Sequence, residues 1–324
     1  MIHMNVLVSQ LIELFIILCL GYFMCKRNIL NEDVNKHINA LIVNITMPCM
    51  ILNAVLSIDS SARPEASTLG LLFAVSIGFF LIMPVISFLL VKGMLKAFHI
   101  VKARQGAYMF MMIFSNVGFM GIPILRAATG DQAPVAVFYA AIFNIFFNIA
   151  VFTYGVIMIG YGDSANTKFQ FKKLLSPGIL SALFALLIYL TQFHFPPALE
   201  SVDHAIGTVG ELTPALAMML VGSTLATMKI RDVFNEWRIY IFAVLKQILL
   251  PILLYPLYQL LIPDKLLLNV MFIEFLMPVA NVALILCTQY NLDKKFASKV
   301  IFITTLMSLV TIPVVFYLCN LIYS

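Results

Sequence analysis

Residues 115–130 read SNVGFMGIPILRAATG. The chain on either side is as apolar as a bilayer interior, yet this stretch holds an asparagine at 116, glycines at 118 and 121, and a proline at 123. A proline inside a helix removes one backbone donor and clashes with the carbonyl four residues earlier. In lipid, each backbone group freed that way costs several kcal/mol unless protein, water or ligand satisfies it. The fold therefore turns on whether this segment is a kinked helix or a helix broken for use.

Around the stretch, 324 residues are 62% hydrophobic and only 11% charged, with a mean hydropathy of +1.01. A soluble domain needs far more polar surface. Ten apolar spans can be drawn, at roughly 6–25, 38–58, 67–91, 105–128, 134–160, 176–194, 206–228, 238–262, 267–290 and 297–322. The first has the length of a signal peptide. MIHMN ahead of it carries no Lys or Arg and no small-residue cleavage site follows, so it reads as a retained helix. No connection is long enough for a soluble domain. The most polar one, 161–175, divides residues 1–160 from 176–324.

Basic residues set the orientation. Sixteen of the 20 Lys and Arg follow spans one, three, five, seven and nine, among them Lys26, Lys36, Lys102, Lys168, Lys229 and Lys295. That places both termini outside and makes the net charge of +5 a topology signal, with no nucleic-acid partner implied. Cys19, Cys25, Cys49, Cys287 and Cys319 form no CxxC pair and have no histidine cluster nearby, so they read as small packing residues. No cofactor is expected.

Five spans per half is an odd number, so the second half enters the membrane inverted, the plan of many secondary transporters. Pro48 and Pro214 are 166 apart, Pro84 and Pro251 167, and Asn116 and Asn281 165, in corresponding spans. Span nine carries breakers as well: FIEFLMPVANVALIL, 272–286, sets Pro278 four residues after Glu274 and three before Asn281. The expectation is an all-α membrane protein of ten transmembrane helices, two inverted five-helix repeats, with helices 4 and 9 unwound near 117–122 and 277–282 and crossing there. Half-helix N-termini would aim partial positive charge at the crossing, which favours an anion. Gly118 and Gly121 let the chain bend there. The amides of Asn116 and Asn281 can grip a carboxylate without carrying charge.

These residues resemble a known family. NVGFMGIPIL, 116–125, is similar to the span-four signature of the auxin efflux carriers, a family of bacterial permeases and plant carriers. LMPVANVALILCTQYNLD, 276–293, resembles the matching span-nine segment, ending in the family's aromatic–Asn turn, while MPCMILNAVL, 47–56, and TPALAMMLVGSTLA, 213–226, resemble spans two and seven. The resemblance implies a scaffold of spans 1, 2, 6 and 7 and a transport part of spans 3–5 and 8–10 moving in an elevator-like cycle, a fold shared with bile-acid sodium symporters and sodium–proton antiporters. It implies organic-anion substrates: auxin in plants, and malate, malonate or similar carboxylates in bacteria. It also implies a homodimer in the cell membrane. Asn116, Pro123 and Pro278 match positions that hold the substrate carboxylate in the plant carriers. Asn281 falls where the plant pattern is apolar and rests on the internal repeat. The plant carriers' long central loop has no counterpart here, so regulation by loop phosphorylation is not implied. The candidate substrate site is Asn116, Gly118, Pro123, Pro278 and Asn281.

Glu13, Arg126, Glu211, Lys246 and Glu274 are the ionisable residues within spans, each costly to insert. Glu211 reads as a solvated edge and Glu13 as a packing or interface residue. At about 1.5 Å per residue, Lys246 lies about 12 Å in from one face and Glu274 about 10 Å in from the other. One reading pairs Arg126 with Glu274 structurally and lets Lys246 snorkel. The other makes Lys246 the charge that compensates the anion and Glu274 a proton-coupling group. Sodium coupling, with oxygens from Ser115, Asn116, Glu274 and Asn281, is the main alternative; a channel and a ligand sensor on the same scaffold are others. An intramembrane protease is poorly served: GYGD, residues 160–163, puts Asp163 in a connection with no partner Asp in any span. HExxH and GxSxG are absent.

Overall fold

The computed structural model describes residues 4–59, 63–162, 176–193, 196, 200–227 and 234–322. Asp163, Lys168, Lys172, Lys173, Lys229 and Arg231 lie outside the described residues. Every named element among the described residues is helical. The first half holds α1 (Met4–Lys26), α2 (Glu32–Leu56), α3 (Ala66–Phe98), α4 (Gln105–Ile113), α5 (Val117–Ala128) and α6 (Gly130–Ile159). The second holds α7 (Pro177–Thr191), α8 (Glu200–Ala226), α9 (Trp237–Leu261), α10 (Lys265–Leu276), α11 (Val282–Gln289) and α12 (Lys294–Ile322). Among the described residues, six helices are long and apolar enough to cross a membrane: α2, α3, α6, α8, α9 and most of α12.

Several helices start ahead of their apolar runs because polar caps lie outside the greasy stretch. α2 begins at Glu32, where the Asn31 side chain accepts from the Val34 N–H and Glu32 and Asp33 occupy the first turn. Asp264 caps α10 through the Leu267 N–H at 2.6 Å, and Asp293 caps α12 through the Phe296 N–H at 2.9 Å. Hydropathy marks where lipid would be; it does not mark where a helix starts.

Prolines reshape the helices in a consistent way. Pro48, Pro123 and Pro251 each follow a π turn that ends two residues earlier, at Ile42–Thr46, Val117–Gly121 and Leu245–Leu249. A π turn widens the helix by one residue per turn, and helices bend at such places. Pro84 and Pro313 sit inside α-helical turns instead.

The tightest helix pair is α1 against α8, with α2 against α7 beside it. At Gly21 a Cβ would collide with the Met219 backbone, and at Gly222 one would collide with the Leu18 carbonyl. The two backbones are therefore in contact, as small residues permit in membrane helices. The centre of the fold is α4, whose nine residues are all buried. Arg104, just before α4, ties the halves together: it reaches Glu236 at 2.5 Å and Asp293 at 2.8 Å, with its guanidinium over the Phe296 ring.

Candidate functional site

Between α4 and α5 the chain is extended at Phe114 (φ −90°, ψ 96°), and Asn116 (φ −80°, ψ 61°) is also non-helical. Between α10 and α11 it leaves the helix at Met277 (ψ 147°). These two interruptions pair with each other. Ser115 and Val279 form an antiparallel bridge, the Asn116 N–H donates to the Pro278 carbonyl at 2.7 Å, and the Ala280 N–H donates to the Phe114 carbonyl at 3.1 Å. Val279 N–H reaches the Thr304 hydroxyl at 3.2 Å, and Gln247 Nε2 donates to the Thr304 carbonyl at 2.9 Å. Backbone groups that two broken helices release inside an apolar protein thus satisfy one another.

The interruption of span four lies at 114–116, not at the expected 117–122, where the chain is a π turn. Local breakers explain the π turn, with Gly118 and Gly121 inside it and Pro123 just after. The extended stretch precedes them because the mate that pairs with it, Pro278 to Ala280, lies opposite Phe114 to Asn116. Phe114 is held by Phe110, Phe80 and Phe147 at ring-centroid distances of 4.4, 6.1 and 5.5 Å.

A cavity of about 620 Å³ opens onto the paired interruptions. Ser115, Asn116, Gly118 and Asn281 line it, and apolar walls come from Phe147, Leu284 and others. Its mouth lies beside exposed Glu32 and Lys36. The Asn116 backbone is fully engaged, since its carbonyl also accepts from Met120 and Gly121, while its side-chain amide makes no hydrogen bond among the described residues. The Asn281 amide is likewise free of a capping bond.

Two further amides come from α6. Asn148 Nδ2 donates to Asn144 Oδ1 at 2.9 Å and to the Asn144 carbonyl at 2.7 Å. That leaves Asn144 Nδ2 facing Gly118, 3.7 Å from where a Cβ on Gly118 would sit. Asn144 and Asn148 are four residues apart on one face of a helix, a signal present in FNIFFNIA, 143–150, that was not read as part of the site.

Pro123 and Pro278 do not line the cavity; they shape the backbone beside it. Lys246, in the π turn of α9, is fully buried and donates from Nζ to Ser115 Oγ at 2.8 Å and to the Met112 carbonyl at 3.3 Å. It meets the site only through Ser115. Arg126 does not pair with Glu274. It lies 3.4 Å from Glu211, in a partly exposed ion pair outside the cavity, because α5 packs beside α8. Glu211 is exposed, with 67% of its side chain accessible.

Glu274 is 1% exposed, and neither carboxyl oxygen has a hydrogen-bond partner. Its carboxyl lies against Gly121, in contact with the space a Cβ would take. A carboxyl end normally swings aside, but this one is enclosed. Gly121→Ala is therefore expected to lower stability by about 1–3 kcal/mol. Combining it with Glu274→Ala relieves the overlap, so the double variant melts above Gly121→Ala alone. Thermal unfolding of both checks this; a wild-type melting temperature for Gly121→Ala would show that the close approach is not a constraint.

Among known proteins, a family model described as membrane transport protein matches residues 6–316. The chain is 27% identical over 321 residues to the uncharacterized transporter MJ1031 of Methanocaldococcus jannaschii, covering 96% of this chain and 97% of that protein. It is 22% identical over 322 residues to the uncharacterized transporter YfdV of Escherichia coli K12, covering 97% and 98%.

Proposed function

Because the chain belongs to the membrane transport protein family, that of the auxin efflux carriers, we propose that it is a secondary transporter of a small organic anion, bound between the paired interruptions. The observation that carries this reading is the cavity beside 114–116 and 277–281. It is lined by Asn116 and Asn281, whose amides have no hydrogen bond to a side chain among the described residues, and by Asn144, whose Nδ2 is left over when its Oδ1 accepts from Asn148. A carboxylate satisfies several such donors at once. The volume, about 620 Å³, falls in the range of small-molecule sites.

In this proposal the two halves form inverted five-helix repeats. The scaffold is α1, α2, α7 and α8, favoured by the backbone contact of α1 with α8. The remaining helices move against it in an elevator-type cycle, and two copies pair through their scaffolds. Lys246 supplies the compensating charge, and Glu274, lacking any partner, carries a coupling proton. Arg126 and Glu211 stay outside the cycle as a rim pair. The cavity mouth beside Lys36 faces the cytoplasm, and the state described is inward-open.

The test is uptake into liposomes reconstituted with the purified protein, using radiolabelled malate, malonate and indole-3-acetate, with sodium or a proton gradient imposed in turn. Expected is accumulation of at least one acid above protein-free liposomes, driven by the proton gradient. Dependence on sodium alone would replace the coupling proton on Glu274 by a sodium ion. No accumulation of any of the three, under either gradient, would overturn the reading.

A further inference from the structure

From the contact between Lys246 and Ser115, we infer that the Ser115 hydroxyl, polarised by the buried Lys246 ammonium, is the group that meets the anion in the cavity. This deepens the proposal above and rests on it for the naming of a carboxylate. Lys246 has no exposed surface, and among the described residues no carboxylate lies within ion-pair distance of it. A buried ammonium without a counter-charge is costly. Its two acceptors, the Ser115 hydroxyl and the Met112 carbonyl, are neutral. A negative charge that enters the cavity would favour the ammonium form.

Ser115 is the route by which it can act. The side chain is 3% exposed, yet the residue lines the cavity from which Lys246 is absent. A serine hydroxyl has one proton and two acceptor lone pairs. Here a lone pair takes the Lys246 Nζ–H, and the hydroxyl proton has no acceptor among the described residues. A hydroxyl that accepts from a cation becomes a stronger donor in turn. The ammonium therefore sits behind the wall, and its charge is delivered through one oxygen at the edge of the paired interruptions.

This arrangement separates two tasks that a lining lysine would combine. A lysine in the cavity would form an ion pair with any anion and hold it tightly. A screened ammonium behind a hydroxyl favours negative charge without direct contact, so the anion can still leave, as transport requires. The backbone of Ser115 is fixed by its bridge to Val279, which sets the direction of the hydroxyl.

The experiment is thermal unfolding of the purified protein, followed by the fluorescence of Trp237, during titration with malonate, malate, sulfate and chloride at constant ionic strength. Wild type, Ser115→Ala, Ser115→Thr and Lys246→Met are compared. Expected is stabilisation of wild type and Ser115→Thr, with apparent affinity weakened about 10- to 150-fold in Ser115→Ala and Lys246→Met, the span for a hydrogen bond to a charged group. Should Ser115→Ala fail to fold, Ser115→Ala combined with Lys246→Met removes hydroxyl and charge together and must show the same loss. Equal stabilisation of wild type and the variants by a carboxylate would overturn this inference and leave the transport reading standing. Stabilisation by sulfate or chloride through Ser115, with none by carboxylates, would uphold the anion site and count against the carboxylate reading. Absence of stabilisation by every anion would overturn both.

Discussion

Asn116→Ala is expected to weaken carboxylate binding by about 10- to 150-fold, the loss of about 1.5–3 kcal/mol from a hydrogen bond to a charged group, while the protein stays folded. The separation of the two effects follows from which atoms of Asn116 do what. The backbone N–H and carbonyl hold Pro278, Met120 and Gly121, and alanine keeps both. The side-chain amide holds nothing among the described residues, and Asn116 lines the cavity. Asn281→Ala should act in the same direction with a smaller loss, because Asn281 is less enclosed than Asn116, which is 4% exposed. Affinity and melting temperature measured on both variants decide the point. A drop in melting temperature with unchanged affinity in the folded fraction would make the amides structural.

Gly222→Val is expected to prevent folding, at a cost of about 3 kcal/mol or more. Any Cβ at Gly222 meets the Leu18 carbonyl, and any Cβ at Gly21 meets the Met219 backbone. Neither neighbour is a side chain that can turn away, so α1 and α8 would have to separate along their length. Gly70, Gly78 and Gly93 provide the control, since a Cβ at each meets nothing within 4 Å. Alanine at those three positions, all inside α3, should keep stability or raise it by up to about 1 kcal/mol each. Size-exclusion profiles and melting temperatures of the detergent-solubilised variants check both statements. A monodisperse Gly222→Val protein with a wild-type melting temperature would show that the helices are not in backbone contact.

The broken segments were legible because asparagine, glycine and proline gather there within a few residues, where lipid makes freed backbone groups costly. Asn116, Gly118, Pro123, Pro278 and Asn281 stand out against apolar neighbours, and all lie at or beside the paired interruptions. The placement of the extended stretch at Phe114 to Asn116 was not legible, since nothing local favours extension there and the mate lies more than 160 residues away. Arg126 carries no sign of Glu211 as its partner for the same reason. The Asn144–Asn148 pair was available, as two amides four residues apart in an apolar run, but span five was read for length alone. Lys246 was found as a charge without its intermediary. Ser115 looks in sequence like any small polar residue in a membrane helix, and only the fold sets it 2.8 Å from a lysine 131 positions later.

The π turns at Ile42–Thr46, Val117–Gly121 and Leu245–Leu249 have a consequence for how this chain tolerates change in length. Each closes its hydrogen bonds over one residue more than an α turn does, so in effect each contains an inserted residue. Deleting one residue there would restore an ordinary helix and break no hydrogen-bond ladder, and because a π turn sweeps about the same angle as an α turn with one residue fewer, everything beyond it would keep its facing. In α9 the segments Trp237 to Val244 and Pro251 to Leu261 would stay in phase, each with the same face inward as before. A frame-preserving deletion, normally most damaging in a regular helix, would here leave both the secondary structure and the inward-facing residues largely as they are.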